Sequence, residues 1–117
     1  MKIGLFAINY GTCGDPSAAV QVAQAAEAAG FESVWTGEHI VLPDPMLRSF
    51  PLAPETPMLD TIVSLTWIAA HTKRLRIASG IIVLPQRNPL LLAKGHRVTS
   101  VAIPLTSYAE DVAATRG

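Results

Sequence analysis

The stretch VWTGEHIVLP, residues 34–43, begins as an apolar strand and ends by placing Glu38 and His39 side by side. The run from Ser33 to Thr36 is typical of a strand that is buried on both faces, as parallel strands are. Glu38 and His39 would then follow the strand's carboxyl end, where parallel sheets bind their ligands. A histidine there is a candidate general acid or base, because histidine gains and loses a proton near neutral pH. The pattern alone is equally consistent with a salt bridge or a solvent-exposed pair at the entry to a loop.

Upstream of this stretch, the sequence predicts a strand followed by a helix. Residues 2–8 are mostly apolar with little alternation, which indicates a first buried strand. Asp15 is a natural N-cap, and Pro16 takes the first helical position, where its missing N–H costs nothing. Gly30 follows an alanine-rich run and predicts the end of this helix.

Downstream, the sequence predicts a loop, a helix, a strand and the start of another helix. Residues 41–57 contain five prolines and no periodicity, which predicts a long loop. A second helix is expected to begin at Leu59 or Asp60, with its core-facing apolar stripe on Leu59, Val63, Thr66 or Trp67, and Ala70. LRIASGIIVLP, residues 75–85, is rich in β-branched residues and predicts a third strand that its final proline stops. RNPLLLAK, residues 87–94, repeats the start signal of a helix.

Short strands that alternate with helices of ten or more residues predict a parallel sheet with right-handed crossovers. Two α/β architectures begin this way, the doubly wound sheet and the eight-stranded (β/α)8 barrel, and both bind ligands at the carboxyl ends of their strands. The polar residues of this chain gather at such ends: Asn9 and Tyr10 after the first strand, Glu38 and His39 after the second, and Gly80 within the third. A complete barrel needs about 250 residues, so three strands do not close one. The edges of an open three-stranded sheet would be prone to pair with other chains.

Composition excludes several classes of protein. The 117 residues carry a formal net charge of zero and are half apolar, which fits one globular unit and gives no electrostatic case for binding nucleic acid or an anionic membrane. Cys13 is the single cysteine, which suggests a reducing compartment, and no apolar stretch has the length of a signal peptide or a membrane span, so we expect a cytoplasmic protein. The glycine signatures of dinucleotide-binding and P-loop proteins are absent, and the three histidines lack the spacing of a metal site, so no metal is expected.

Two segments in order carry a family resemblance. VWTGEHIVLPDP, residues 34–45, and TPMLDTIVSLTWIAAHTKRLRIASGIIVLPQRNPLLLAK, residues 56–94, resemble the N-terminal part of the luciferase-like monooxygenase superfamily, and most of all its bacterial flavin- or deazaflavin-dependent oxidoreductases. The resemblance implies that residues 1–94 form the first three strand–helix units of a TIM (β/α)8 barrel. It also implies a deazaflavin coenzyme or flavin mononucleotide (FMN) in the barrel mouth, and hydride transfer or oxygenation of a small organic substrate.

The same resemblance implies roles for residues near the cofactor ring. Glu38 and His39 would take the catalytic positions and would also contact the cofactor. Gly80 and Ile81 match a bulge in the family's third strand that commonly carries a non-proline cis peptide and supports the ring. A glycine there lets the backbone approach a flat ring closely.

The substrate side of the site is assigned in the same way. Asn9 and Tyr10, after the first strand, would face the substrate. The loop at residues 41–57 would form part of a lid, with Phe50 as an apolar substrate contact.

Residues 95–117 depart from the family pattern and are expected to form a divergent C-terminal tail. Gly95 should interrupt the third helix, VTSVAIPL at residues 98–105 is a candidate strand, and SYAEDVAATR at residues 107–116 is a candidate short helix. We therefore expect either a truncated or remodelled oxidoreductase or a non-catalytic half-barrel fragment stabilised by self-association or by a complementary chain. A third alternative is a small-ligand-binding domain with a doubly wound sheet, which requires the tail strand to join that sheet.

Overall fold

A computed structural model describes residues 1–48 and 52–102, and the side chains within these ranges up to residue 95. Strands and helices alternate along the chain as the sequence predicts: β1 (Gly4–Phe6), α1 (Pro16–Ala28), β2 (Ser33–Thr36), α2 (Thr61–His71), β3 (Arg76–Ser79) and α3 (Pro89–Ala102). Two short 3-10 turns, Gly11–Gly14 and Leu84–Gln86, lie in the connections. None of the helices in the described ranges combines the length and the apolar character that crossing a bilayer requires.

The three strands form one parallel sheet in the order β1-β2-β3, which confirms the predicted α/β class and strand direction. The central row of the register pairs Leu5 with Val34 and Val34 with Ile77. Because parallel neighbours run the same way, all three strands end at one edge, called the carboxyl edge below. The described residues contain three strands and three helices, so closure into an eight-stranded barrel stays a prediction.

One face of the sheet carries the core. The buried cluster joins residues from β2, both packing helices and the adjoining loops: Ile8, Ala19, Ala23, Val34, Ile68 and Leu75. Side chains alternate across a strand, so Phe6 and its register partner Trp35 lie on the opposite face. Phe6 is 52% exposed there, which leaves that face of the sheet open in the part of the chain described.

Helix α1 is bounded by the residues that the sequence singles out. The Asp15 carboxylate accepts a hydrogen bond from the Ala18 N–H over 2.8 Å, and Pro16 is the first helical residue. At the other end, Gly30 adopts φ +83°, a conformation that glycine takes without a steric penalty. The Phe31 N–H then reaches the Ala26 carbonyl over 3.0 Å and closes the last turn. The predicted caps are confirmed.

A second carboxylate fixes the opposite end of the sheet. The Glu27 Oε1 atom accepts the N–H groups of Lys73, Arg74 and Leu75 over 2.9, 2.5 and 2.9 Å. These three residues lead into β3, so the C-terminal turn of α1 holds the start of that strand in place. The Arg74 N–H contributes most to lowering the Glu27 pKa, burial opposes the shift, and the other two N–H groups support it.

The predicted core-facing stripe of α2 is wrong. The buried residues of this helix are Thr61, Ser64, Leu65 and Ile68, whereas Val63 is 68% exposed and Trp67 is 46% exposed. Helix α2 carries apolar residues of its own on every face, so the spacing of these residues does not indicate which face is buried. The buried face accepts polar residues because they bond locally: Thr61 Oγ1 donates to the Gly37 carbonyl over 2.9 Å. The exposed apolar side chains line a groove of about 550 Å³ between α2 and α3.

The predicted third strand is too long, and the predicted break in the third helix is wrong. Strand β3 ends at Ser79, and Pro85 lies in a 3-10 turn. Between them, the Val83 N–H bonds to the Glu38 side chain and not to a neighbouring strand. Helix α3 continues through Gly95 to Ala102, so residues 98–102 are helical where a strand was expected. Glycine costs a helix only about 1 kcal/mol relative to alanine. A Cβ at Gly95 would lie 3.4 Å from Ile62 Cγ2, so glycine here allows close packing of α3 on α2. The candidate helix at residues 107–116 lies outside the described residues, and the proposed boundary between residues 94 and 95 stays a prediction.

Candidate functional site

The carboxyl edge brings together residues that follow all three strands. Asn9, after β1, donates from Nδ2 to the Gly37 carbonyl over 2.8 Å. Gly80, after β3, donates its N–H to the Thr36 carbonyl over 2.9 Å. Glu38 follows β2 and accepts the Val83 N–H at Oε2 over 2.5 Å. Residues that sequence analysis selected at three separate positions therefore share one edge of the sheet.

The Asn9 side chain crosslinks backbone groups of Gly37 and Leu59 at this edge, and we call it the bracket. Its side chain is fully buried, and its amide also donates to the Leu59 carbonyl over 3.0 Å and accepts the Gly37 N–H over 3.1 Å. Donor and acceptor are thus both engaged by backbone groups. The predicted substrate contact is not available to this side chain, which instead joins the ends of β1 and β2 to the segment before α2.

Tyr10 is half-buried beside this bracket. Its backbone forms an isolated antiparallel bridge with Met58, and its ring lies 3.8 Å from the point where a Cβ on Gly37 would stand. The ring therefore remains at the carboxyl edge, on the side nearest to the turn after β1. Phe50, the other predicted substrate contact, lies outside the described residues.

Glu38 is 4% exposed and is held at both oxygens. Arg87 donates to Oε1 from Nε over 2.7 Å and also from Nη2. Oε2 accepts the Val83 N–H, so both oxygens of this carboxylate are engaged by groups of the chain. Its place in the structure is therefore that of an anchor for the segment after β3, which agrees with the salt bridge that the sequence left open as an alternative. Its predicted catalytic and cofactor contacts stay predictions.

Arg87 connects this anchor to α2. The same Nη2 atom lies 2.6 Å from Asp60 Oδ2, while Asp60 Oδ1 caps α2 by accepting the Val63 N–H over 3.0 Å. Burial of Asp60 opposes its ionisation, but the Val63 N–H and the Arg87 guanidinium outweigh burial and hold the Asp60 pKa below its ordinary value. The Arg87 pKa is raised above its ordinary value, first by its bonds to Glu38. We call Glu38, Asp60 and Arg87 the charge triad.

His39 directly follows the anchor and is half-buried. It is followed by Ile40 and Val41, which are both largely exposed. His39 is thus partly exposed, whereas the preceding Glu38 is enclosed. Of the predicted Glu38–His39 pair, only the imidazole has partial access to this edge.

Gly80 and Ile81 lie at the same edge, close to the exposed apolar ring of Phe6. A Cβ on Gly80 would lie 2.8 Å from Phe6 Cε2, and a Cβ on Gly37 would lie 3.5 Å from Phe6 Cζ. The Phe6 ring therefore lies against the Gly80 backbone and near Gly37, and Ile81, next to Gly80 in the sequence, is 58% exposed. We call Phe6, Gly37, Gly80 and Ile81 the ledge.

The predicted cis peptide in this segment is not found. In residues 1–48 and 52–102, the cis bond joins Asp44 to Pro45, and the bond between Gly80 and Ile81 is trans. The glycine is required at the ledge for close approach of Phe6, which the distances above show directly.

Sequence reasoning missed Arg87, Asp60 and Phe6 as parts of this site. One signal for Arg87 was present, because this cation lies in the connection after the third strand and a carboxylate, Glu38, lies in the connection after the second. The pairing joins residues 49 positions apart, so local patterns did not reveal it. No group of three or more His, Cys, Asp or Glu side chains within the described ranges is arranged to hold a metal ion.

Comparison with known proteins places this edge in context. A sequence profile of the luciferase-like monooxygenase family matches residues 1–96. The oxygenase component of the flavin-dependent trigonelline monooxygenase of Acinetobacter baylyi is 26% identical over 98 residues, which are 84% of this chain and 23% of that protein. The uncharacterized protein YwcH of Bacillus subtilis is 35% identical over 85 residues, 73% of this chain and 22% of that protein. The chain thus spans less than a quarter of the length of either relative.

Proposed function

Because the chain belongs to the luciferase-like monooxygenase family, we propose that it contributes the carboxyl edge of a flavin-type oxidoreductase site. The proposed fold of the whole enzyme is a (β/α)8 barrel, of which β1 to β3 are the first strands. The proposed reaction class is hydride transfer to, or oxygenation of, a small organic substrate. The single observation that carries the proposal is the convergence of a partly exposed imidazole and an apolar ledge at one strand edge.

The ledge fits a flat aromatic ring in its shape and its chemistry. The Gly80 backbone lies close against the half-exposed Phe6 ring, Gly37 lies nearby, and Ile81 adds an exposed apolar side chain next to Gly80. Aromatic and aliphatic surfaces of this kind pack well against the face or edge of a ring system. We propose Gly80, Ile81 and His39 as the residues that would contact FMN or a deazaflavin coenzyme. When bound, either group supplies two-electron redox chemistry.

His39 is the proposed acid–base residue. Histidine exchanges a proton near neutral pH, and its partial exposure at the edge gives a small molecule access to the imidazole. Glu38 retains a role in the proposal, but as the residue that holds the edge in place. Its burial and its bonds to Val83 and Arg87 support this assignment over direct catalysis.

The substrate is proposed to approach from the side of Tyr10. The half-buried ring presents an apolar surface with a polar hydroxyl at its end, which suits a small organic molecule. The free thiol of Cys13 fits a reducing compartment, so we propose the cytoplasm as the place of action.

Ligand titration of the purified chain tests this proposal. FMN and a deazaflavin coenzyme are titrated separately, and ring fluorescence and the visible spectrum report binding. We expect Ile81→Asp to weaken binding by about tenfold or more, because it places a charge against an apolar ring. Ile3→Asp makes the same chemical change at the amino end of β1 and should leave the dissociation constant unchanged. Absence of binding of both compounds, or an equal loss in both variants, would contradict the proposal.

A second candidate function is non-catalytic, and the open sheet favours it. Phe6 is half-exposed on the uncovered face, and β1 and β3 each have one side without a neighbour in the described part of the sheet. In this alternative, a second copy or a complementary chain covers that face. Sedimentation velocity at increasing concentration tests it: self-association that Phe6→Asp abolishes supports this function. A monomer that binds FMN or deazaflavin at the ledge counts against it.

A further inference from the structure

The segment that contributes Gly80 and Ile81 to the ledge is attached to β2 at two points. The first is the backbone bond from the Gly80 N–H to the Thr36 carbonyl, 2.9 Å long. The second is the bond from the Val83 N–H to Glu38 Oε2, 2.5 Å long. Ile81 projects from between these points with more than half of its surface exposed. One of the two attachments of this segment thus depends on the orientation of one buried carboxylate.

A buried carboxylate keeps its charge and its orientation only when a partner compensates for the loss of water. Arg87 is that partner, because its Nε and Nη2 both point at Oε1 and leave Oε2 for Val83. The same Nη2 atom of the guanidinium also donates to Asp60, which is the N-cap of α2. Two carboxylates from different parts of the chain thus fix one cation.

Arg87 also directly precedes α3. Asn88 Oδ1 accepts the N–H groups of Leu90 and Leu91 over 3.0 and 3.2 Å and caps that helix. The charge triad therefore links the end of β2, the start of α2 and the start of α3 at the edge where the ledge lies.

We propose that Arg87 is a positioning residue for the ledge: by holding Glu38 charged and oriented, it sets the backbone of residues 80–83. It acts through Glu38 and does not itself contact the cofactor. The effect on ring binding rests on the proposed function above, whereas the effect on the backbone of residues 80–83 does not.

Amide hydrogen exchange of the ligand-free chain tests the backbone effect. In Arg87→Met, the Val83 amide should exchange at least about tenfold faster than in the wild type after correction for global stability. Arg87→Lys keeps the charge but loses the two-point geometry, and should give an intermediate rate. The control is Glu27→Gln, which removes the charge from the hydrogen bonds at the other end of β3 and should leave the corrected Val83 rate unchanged. Equal Val83 rates in Arg87→Met and Glu27→Gln would overturn the inference.

A double variant separates positioning from general stability and also covers the case in which Arg87→Met does not fold. Glu38→Met with Arg87→Met replaces the ion pair by apolar side chains, an exchange that often restores stability. We expect a folded protein whose Val83 amide remains unprotected. Recovery of Val83 protection together with stability would show that the charges are not needed for positioning, and would refute the inference.

Ring binding provides the functional readout. The dissociation constant for FMN or deazaflavin should rise by about tenfold in Arg87→Lys and in the double variant, and should stay constant in Glu27→Gln. If the wild type binds the ring and the Arg87 variants bind it with the same dissociation constant, the link between Arg87 and the ledge is overturned. If the wild type binds neither compound, the proposed function fails, and the Val83 exchange rates still decide the role of Arg87.

Discussion

Glu38 and Arg87 lie 49 positions apart in the chain and meet at the carboxyl edge of the sheet, where Arg87 Nε donates to Glu38 Oε1 over 2.7 Å. The contact joins the end of β2 to the residues that start α3. Because Glu38 is almost fully buried, loss of Arg87 leaves a buried charge without compensation, whereas loss of Glu38 leaves Arg87 paired only with Asp60. The stability of this edge therefore depends on both residues together.

Glu38→Gln should lower the free energy of unfolding by about 2 kcal/mol, because hydrogen bonds to charged groups contribute about 1.5–3 kcal/mol. Urea titration followed by tryptophan fluorescence measures the change. Glu55 is exposed in the loop before α2 and provides a matched control, for which Glu55→Gln should stay within about 0.5 kcal/mol. Identical midpoints for the two variants would show that the ion pair does not stabilise the fold.

Asn9→Ala should cost about 3 kcal/mol, because it removes a fully buried amide and leaves backbone groups of Gly37 and Leu59 without partners. Asn88→Ala removes the same side chain from an exposed helix cap and should cost about 1 kcal/mol. Thermal and urea unfolding of both variants measure the difference. A smaller loss for Asn9 than for Asn88 would contradict the bracket described above.

Gly80→Ala should destabilise the chain by about 1–3 kcal/mol, since its Cβ would lie 2.8 Å from Phe6 Cε2. Gly37→Ala is the matched control, because its Cβ would lie 3.5 Å from the same ring and makes an ordinary contact. Combining Gly80→Ala with Phe6→Leu should recover at least about 0.5 kcal/mol, which a double-mutant cycle measures. Strict additivity would mean that the ring does not cause the loss.

The lowered pKa of Glu27 predicts how the free energy of unfolding depends on pH. The pKa of Glu27 is lowered in the folded chain, first by the Arg74 N–H, against the opposing effect of burial. A lowered pKa stabilises the folded state above the ordinary glutamate pKa of about 4.3, and this contribution is lost as the pH falls through the folded value. Unfolding free energy should therefore decline below about pH 4.3, and Glu27→Gln should make the decline shallower. Parallel pH profiles for the wild type and the variant would contradict the assignment.

Local signals predicted much of the fold and little of the site. The caps of α1 could be predicted from the sequence, because Asp15, Pro16 and Gly30 act on their own neighbours in the chain. The buried face of α2 could not be predicted from the sequence, because the exposed Val63 and Trp67 are as apolar as the residues that pack inward. The carboxyl edge was predicted from strand order, but the burial of Glu38 was not. That burial depends on Arg87, a partner that only the folded chain brings near.

In the described part of the chain, the sheet has two unlike edges without a neighbouring strand, one on β1 and one on β3, because the strand order follows the chain order. If copies associate through these edges, the geometry of the pairing decides the product. Pairing of β3 with β1 of the next copy is head-to-tail and repeats without limit, which produces filaments. Pairing of two identical edges about a two-fold axis stops at a dimer. The size distribution of any assembly would therefore report which edges meet.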